Sequence, residues 1–65
     1  MKSYTYINDI GRTKRIDISL NDPEKEKYHV VLWDVKTGEF CGSGYKSKEE
    51  LIDYFNHYHI EATDF

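Results

Sequence analysis

Nucleophilic catalysis in this 65-residue chain would fall to Cys41 or a serine, standing beside a histidine and a carboxylate that orients it. The hairpin centred on Gly38 sets Cys41 and His29 two rungs apart on one sheet face. That is too far for a hydrogen bond, and a general base must first reach its proton. His57 and His59 could share a metal with Glu61 or Asp64 only if a helix ended between them, and their spacing matches no strong ligand pattern. A solvated helix end, with histidine beside the negative end of the dipole, is the plainer reading. Gly42-Ser43-Gly44 lacks the following Lys-Thr/Ser and the strand–loop–helix setting of a phosphate cradle. Glu49, Glu50 and Asp53 could do acid–base work only in a cleft, which so small a chain hardly shapes. No catalytic residue, metal ligand or cofactor is therefore assigned, and the chain is expected not to be an enzyme.

The elements that position these residues follow from periodicity. Ser3–Ile7 is β-branched and aromatic, a strand, and Asn8, Asp9 and Gly11 punctuate it. Thr13–Leu20 alternates, with Ile16, Ile18 and Leu20 on one face and Arg15, Asp17 and Ser19 on the other. A charged loop runs from Asn21 past Pro23 to Lys27, because Pro23 has no N–H to give a central ladder. Tyr28–Val35 is the strongest strand. Lys36-Thr37-Gly38 predicts a bulged hairpin with Gly38 in the left-handed position, and Phe40–Tyr45 returns. Ser47-Lys48-Glu49-Glu50 is a capping box opening a helix from Lys48 to His57 or His59. Its buried stripe is expected to be Leu51, Ile52, Phe55 and Tyr58, with Ile60 or Phe65 docking the tail. The fold class is α+β: one domain spanning residues 1–65, a four-stranded, mostly antiparallel meander with one C-terminal helix on one face.

The hairpin divides the side chains. Val35 facing Glu39 sets Trp33 against Cys41, Val31 against Ser43 and His29 against Tyr45, while Leu32 and Val30 face Gly42 and Gly44. Two glycines on one face leave a trough for the helix. The opposite face then carries Val31, Trp33, Val35, Cys41 and Tyr45. Either it is an interaction site, or the tail or the first strand, through Tyr4 and Tyr6, folds over it, or the sheet curls around Trp33. Symmetric self-association is the commonest use of such a face, so a homodimer is one expected partner.

Composition bounds the rest. A chain this short buries only about 60% of its unfolded surface, so its stability is marginal and a partner is a natural support. Cys41 is the only cysteine, which excludes an internal disulfide and points to a reducing compartment. The expected location is the cytoplasm. Met1 opens a chain read as a complete gene product, without a signal peptide and without the roughly 18 to 20 apolar residues of a membrane span. The net charge of −3 hides +2 over residues 1–20 and −5 over residues 49–65. Ten aromatic residues are many for this size, and Tyr and Trp left at a surface favour interfaces.

Two binding readings compete. In the first, the Trp33 face, or the acidic helix with Glu49, Glu50 and Asp53, docks on another protein. Carboxylates set where phosphates should go suit an inhibitor of a basic site. Small Lys/Tyr/Ile/Asn-rich proteins of this kind are typical of phages and mobile elements. In the second, Arg12, Lys14 and Arg15 contact phosphates beside a Trp33–Tyr45 stacking platform. The stretch Asp34–Glu39, followed by Gly44–Glu50, resembles the sheet-plus-helix arm-binding domains of tyrosine integrases in its Thr-Gly turn, Gly-aromatic-x-Ser ending and capped helix. That resemblance implies a sheet inserted into the major groove. It covers less than half the chain, which is acidic overall and lacks a dense Arg/Lys sheet face.

Overall fold

Ile16 and Ile18 lie two apart on an extended chain, so they must share a side, and both are buried. They sit on the second strand of a sheet whose strands pair in chain order, each antiparallel to the next. The computed structural model describes residues 1–62 and 65. Its elements are β1 (Lys2–Ile7), β2 (Thr13–Asp22), β3 (Lys27–Asp34), β4 (Phe40–Ser47) and α1 (Lys48–His57). This is the ββββα meander that the alternation predicts. The strand β2 runs on through Asn21 and Asp22, with a register shift between Leu20 and Asp22, so the loop around Pro23 is shorter than the charge pattern suggests.

The helix starts where its cap chemistry says. The Ser47 hydroxyl accepts the Glu50 N–H at 3.2 Å, and the Glu50 carboxylate accepts the Ser47 N–H at 3.0 Å. That backbone bond holds the Glu50 carboxyl below its ordinary range. Leu51 and Phe55 of α1 close the core over Tyr6, Ile16, Ile18, Tyr28 and Val30. Tyr4 packs edge-on against Phe55 at 5.2 Å, and the hydroxyls of Tyr6 and Tyr54 hydrogen-bond each other. Burial raises both phenols above their ordinary value.

Two core expectations need correction. Ile52 is exposed, and Tyr54 takes its place against Tyr6 and Tyr58, with ring centroids 5.7 and 4.8 Å away. Residues 51, 54, 55 and 58 keep the helical period, and position 52 lies about 100° off that stripe. Leu20 shares the inward parity of Ile16 and Ile18 but is 53% exposed. It sits beside the β2 register shift, where the regular ladder ends.

The chain end returns to the helix side. Phe65 stacks edge-on with Phe55 at 5.0 Å and Tyr28 at 5.8 Å, and Ile60 donates to the Phe55 carbonyl at 2.8 Å. Tyr4, Tyr6 and Phe65 therefore all lie on the α1 side, and none of them folds over the opposite face.

Candidate binding face

The face away from α1 is built from alternate residues of all four strands. The register sets Ser3, Asp17, Val31 and Ser43 in one row, and Thr5, Arg15, Trp33 and Phe40 in the next. His29 and Tyr45 pair farther along, with rings 5.2 Å apart. No described element lies over these rows.

Asp17 organises the face. Its carboxylate accepts from the Ser3 hydroxyl at 2.6 Å, from Trp33 Nε1 at 2.9 Å and from the Arg15 guanidinium at 3.1 and 3.3 Å. Burial by itself would raise this carboxyl. The bonds from Ser3 and Trp33, with the charge of Arg15, outweigh it and hold the group below its ordinary range. Arg15 also lies over the Trp33 ring, 5.5 Å from its centroid, and Phe40 meets the same ring edge-on at 5.7 Å. Trp33 thus spends its one polar atom inside the face and is pinned by a cation on one side and an aromatic on another. Beside this pair, Thr5, Val35 and Gly38 help wall a hollow of about 410 Å³. Phe40, Tyr45 and Val35 are 58%, 62% and 49% exposed.

Of the five residues expected on this face, Val31, Trp33 and Tyr45 occupy it. Val35 lies just beyond β3 at its margin and donates to the Thr13 carbonyl at 3.1 Å. Cys41 does not join them. A register shift after Leu32 sets Phe40, not Cys41, opposite Trp33, because a bulge puts one extra residue on one strand and reverses side-chain parity beyond it. Cys41 Sγ instead lies 3.4 Å from the Lys14 ammonium. Phe40, Asp17 and Ser3 were missed. The bulge expected at Gly38 was the available signal for Phe40. Asp17 looked like any outward carboxylate in an alternating strand, and nothing local marked Ser3.

The basic residues do not form one patch. Arg12 and Lys14 both reach Asp34 Oδ2, at 2.9 and 3.1 Å, while Arg15 points to the opposite face. Asp34 is almost fully buried and accepts the Thr37 N–H as well. That backbone bond, followed by Lys14 and Arg12, drives its carboxyl far below the usual range, and Lys14 is raised in return. On the acidic helix, Glu49 and Asp53 are exposed, but the Glu50 carboxylate is occupied by the cap. His57 Nε2 faces Asp9 Oδ1 at 3.3 Å. Asp64, considered above as a metal ligand, lies outside the described residues. Among the described residues, no group of three His, Cys, Asp or Glu could hold a metal ion.

The three depressed carboxyls, Asp17, Asp34 and Glu50, make the fold acid-sensitive. A carboxyl with a lowered folded pKa stabilises the fold above its unfolded value, about 3.9 for Asp. That contribution disappears as pH falls through the folded value. Melting temperature is therefore expected to hold from neutral pH to about pH 5 and to drop steadily below it. In Asp34→Asn the drop is shallower, from a lower starting point. Thermal melts by circular dichroism across this range check it. A pH dependence unchanged in Asp34→Asn would remove Asp34 as a contributor.

Comparison with protein-family models, curated proteins and solved structures finds no match to this chain. The likeness to integrase arm-binding domains accordingly stands on turn and cap chemistry alone: Gly38 at φ +74° and the Ser47–Glu50 box. No described helix is long and apolar enough to cross a membrane.

Proposed function

We propose that this chain is a non-enzymatic binding protein that docks its open sheet face on another protein, as a cytoplasmic inhibitor or regulator of the kind phages and mobile elements carry. The observation that carries this reading is the Arg15–Trp33–Asp17 constellation on a face that no described element covers. Trp, Tyr and Arg dominate the energetics of protein interfaces. A ring already held by a hydrogen bond and a cation loses little freedom on binding, so more of its contact energy appears as affinity. Exposed Phe40 and Tyr45 extend the apolar area around it, and Glu49 and Asp53 supply negative charge on the helix side for a basic rim.

Nucleic acid is the second reading. Arg15 beside Trp33, Phe40 and Tyr45 favours it, as a cation among stacking surfaces. With Arg12 and Lys14 both engaged by Asp34, that platform has one strong cation close to its rings.

The test compares wild type with Trp33→Glu and Glu49→Lys as baits in lysate of the producing cell, with circular dichroism confirming that each is folded. Wild type is expected to retain a discrete protein that Trp33→Glu loses, a fall in affinity on the order of a hundredfold for a central anchor. Anisotropy of labelled duplex DNA at two salt concentrations runs beside it. Steeply salt-dependent binding that Arg15→Ala weakens would replace the protein reading with the nucleic-acid one. Equal retention by Trp33→Glu would remove the sheet face as the site.

A further inference from the structure

The two edges of the sheet are not equivalent. Val35 donates to the Thr13 carbonyl, so Thr13 directs its backbone groups toward β3, and Asn8 donates to the Arg12 carbonyl. Hydrogen-bonded and non-hydrogen-bonded pairs alternate along an antiparallel ladder. Lys2, Tyr4 and Tyr6 therefore bond β2, whereas Ser3, Thr5 and Ile7 direct their N–H and C=O groups outward from the free edge. Natural proteins blunt such edges with charge, proline, bulges or short strands. None of these interrupts β1 between Ser3 and Ile7, and its pairing with β2 is unbroken over six residues. The β4 edge is different. Val30 and Leu32 pair with Gly44 and Gly42, a bulge interrupts the strand beyond Gly42, and Ser47 at its other end turns into the helix cap.

We infer that β1 is a dimerisation edge, and that a second copy of this chain adds its own β1 antiparallel to it, with Thr5 on the two-fold axis. This register sets Thr5 opposite Thr5, Ser3 opposite Ile7, Tyr4 opposite Tyr6 and Lys2 opposite Asn8. All the outward backbone groups of Ser3, Thr5 and Ile7 are then paired. No charge meets a like charge, and the non-hydrogen-bonded positions, where side chains come closest, hold aromatic pairs. Ile7, 64% exposed, gains a cross-strand neighbour. A groove lined by Tyr4, Ile52, Phe55 and Ile60 flanks the same edge on the helix side. The rotation puts both grooves, with the exposed Ile52 of each, on one side of the joined sheet. Both Trp33 faces lie together on the other side. The dimer is thus an eight-stranded sheet, twice the four strands of one copy, and it leaves the proposed target face free and bivalent.

The experiment is sedimentation equilibrium of the whole chain over a wide concentration range, with three variants. Wild type is expected at twice the chain mass. Thr5→Lys places two ammonium groups against each other on the axis at an exposed position. It is expected to raise the dimer Kd roughly tenfold or more with the circular dichroism spectrum unchanged. Ser43→Lys, on the β4 edge, and Trp33→Glu, on the open face, are expected to dimerise as wild type does. A synthetic chain with an N-methylated Thr5 amide keeps every β1–β2 bond and is expected to be monomeric, which covers the case in which Thr5→Lys fails to fold. A wild-type chain that stays monomeric at about millimolar concentration overturns the inference. So does a dimer that survives both Thr5 changes, or one lost in Ser43→Lys or Trp33→Glu instead.

Discussion

Phe55→Ala is expected to destabilise the chain by about 3 to 5 kcal/mol, enough to leave it largely unfolded near 37 °C. Phe55 is 2% exposed and meets Tyr4 and Phe65 edge-on, at 5.2 and 5.0 Å. It therefore joins β1, the helix and the chain end at one point. Removing the ring leaves a cavity whose walls come from three separate segments, and such a site collapses poorly. A domain of this size has only about 3 to 10 kcal/mol of stability in total. Urea unfolding followed by far-ultraviolet circular dichroism measures the change. Ile52→Ala, on the exposed side of the same helix, is the control, with an expected loss within about 1 kcal/mol. Similar midpoints for the two variants would show that α1 does not close the core through Phe55.

Asp17→Ala is the second large effect, and its signature differs. The carboxylate accepts from Ser3, Trp33 and Arg15, and Ala leaves all three donors without it. Ser3 and Arg15 can turn to water, whereas Trp33 Nε1 is held by its ring's place in the sheet. A cost of about 1 to 3 kcal/mol follows, together with a freer Trp33 ring. Because Trp33 is the single tryptophan, its emission reports this directly: acrylamide quenching should rise in Asp17→Ala and rise less in Asp17→Asn, which keeps one acceptor oxygen. Under the proposed function, affinity for the partner protein should fall more than stability does, since the variant removes the pre-ordering of the anchor. Unchanged quenching in Asp17→Ala would mean that packing against Phe40 and Arg15 alone orients the ring.

The elements and their order were legible in local signals. The period of two in Thr13–Leu20, the Gly38 turn and the Ser47–Glu50 box are local signals, set by residues a few positions apart, and each produced the element expected. Parity then divided Tyr28–Asp34 correctly, so Val31 and Trp33 were placed on the open face and Val30 on the core. The bulge itself, and with it the sides taken by Phe40 and Cys41, came from long-range pairing instead. One extra residue between Gly38 and Gly42 turned Cys41 away and brought Phe40 to Trp33. A single-residue slip reverses every side chain beyond it, and no local propensity fixes where the slip falls. The same limit hid the two acidic hubs. Asp17 and Asp34 read as solvated carboxylates, and what makes them otherwise is the convergence of Ser3, Arg15 and Trp33 on one, and of Arg12, Lys14 and Thr37 on the other. These partners come from different strands and turns. Only the pairing of β1, β2 and β3 brings them within hydrogen-bond distance, and that pairing also separated Arg15 from the two cations that sequence proximity had grouped with it.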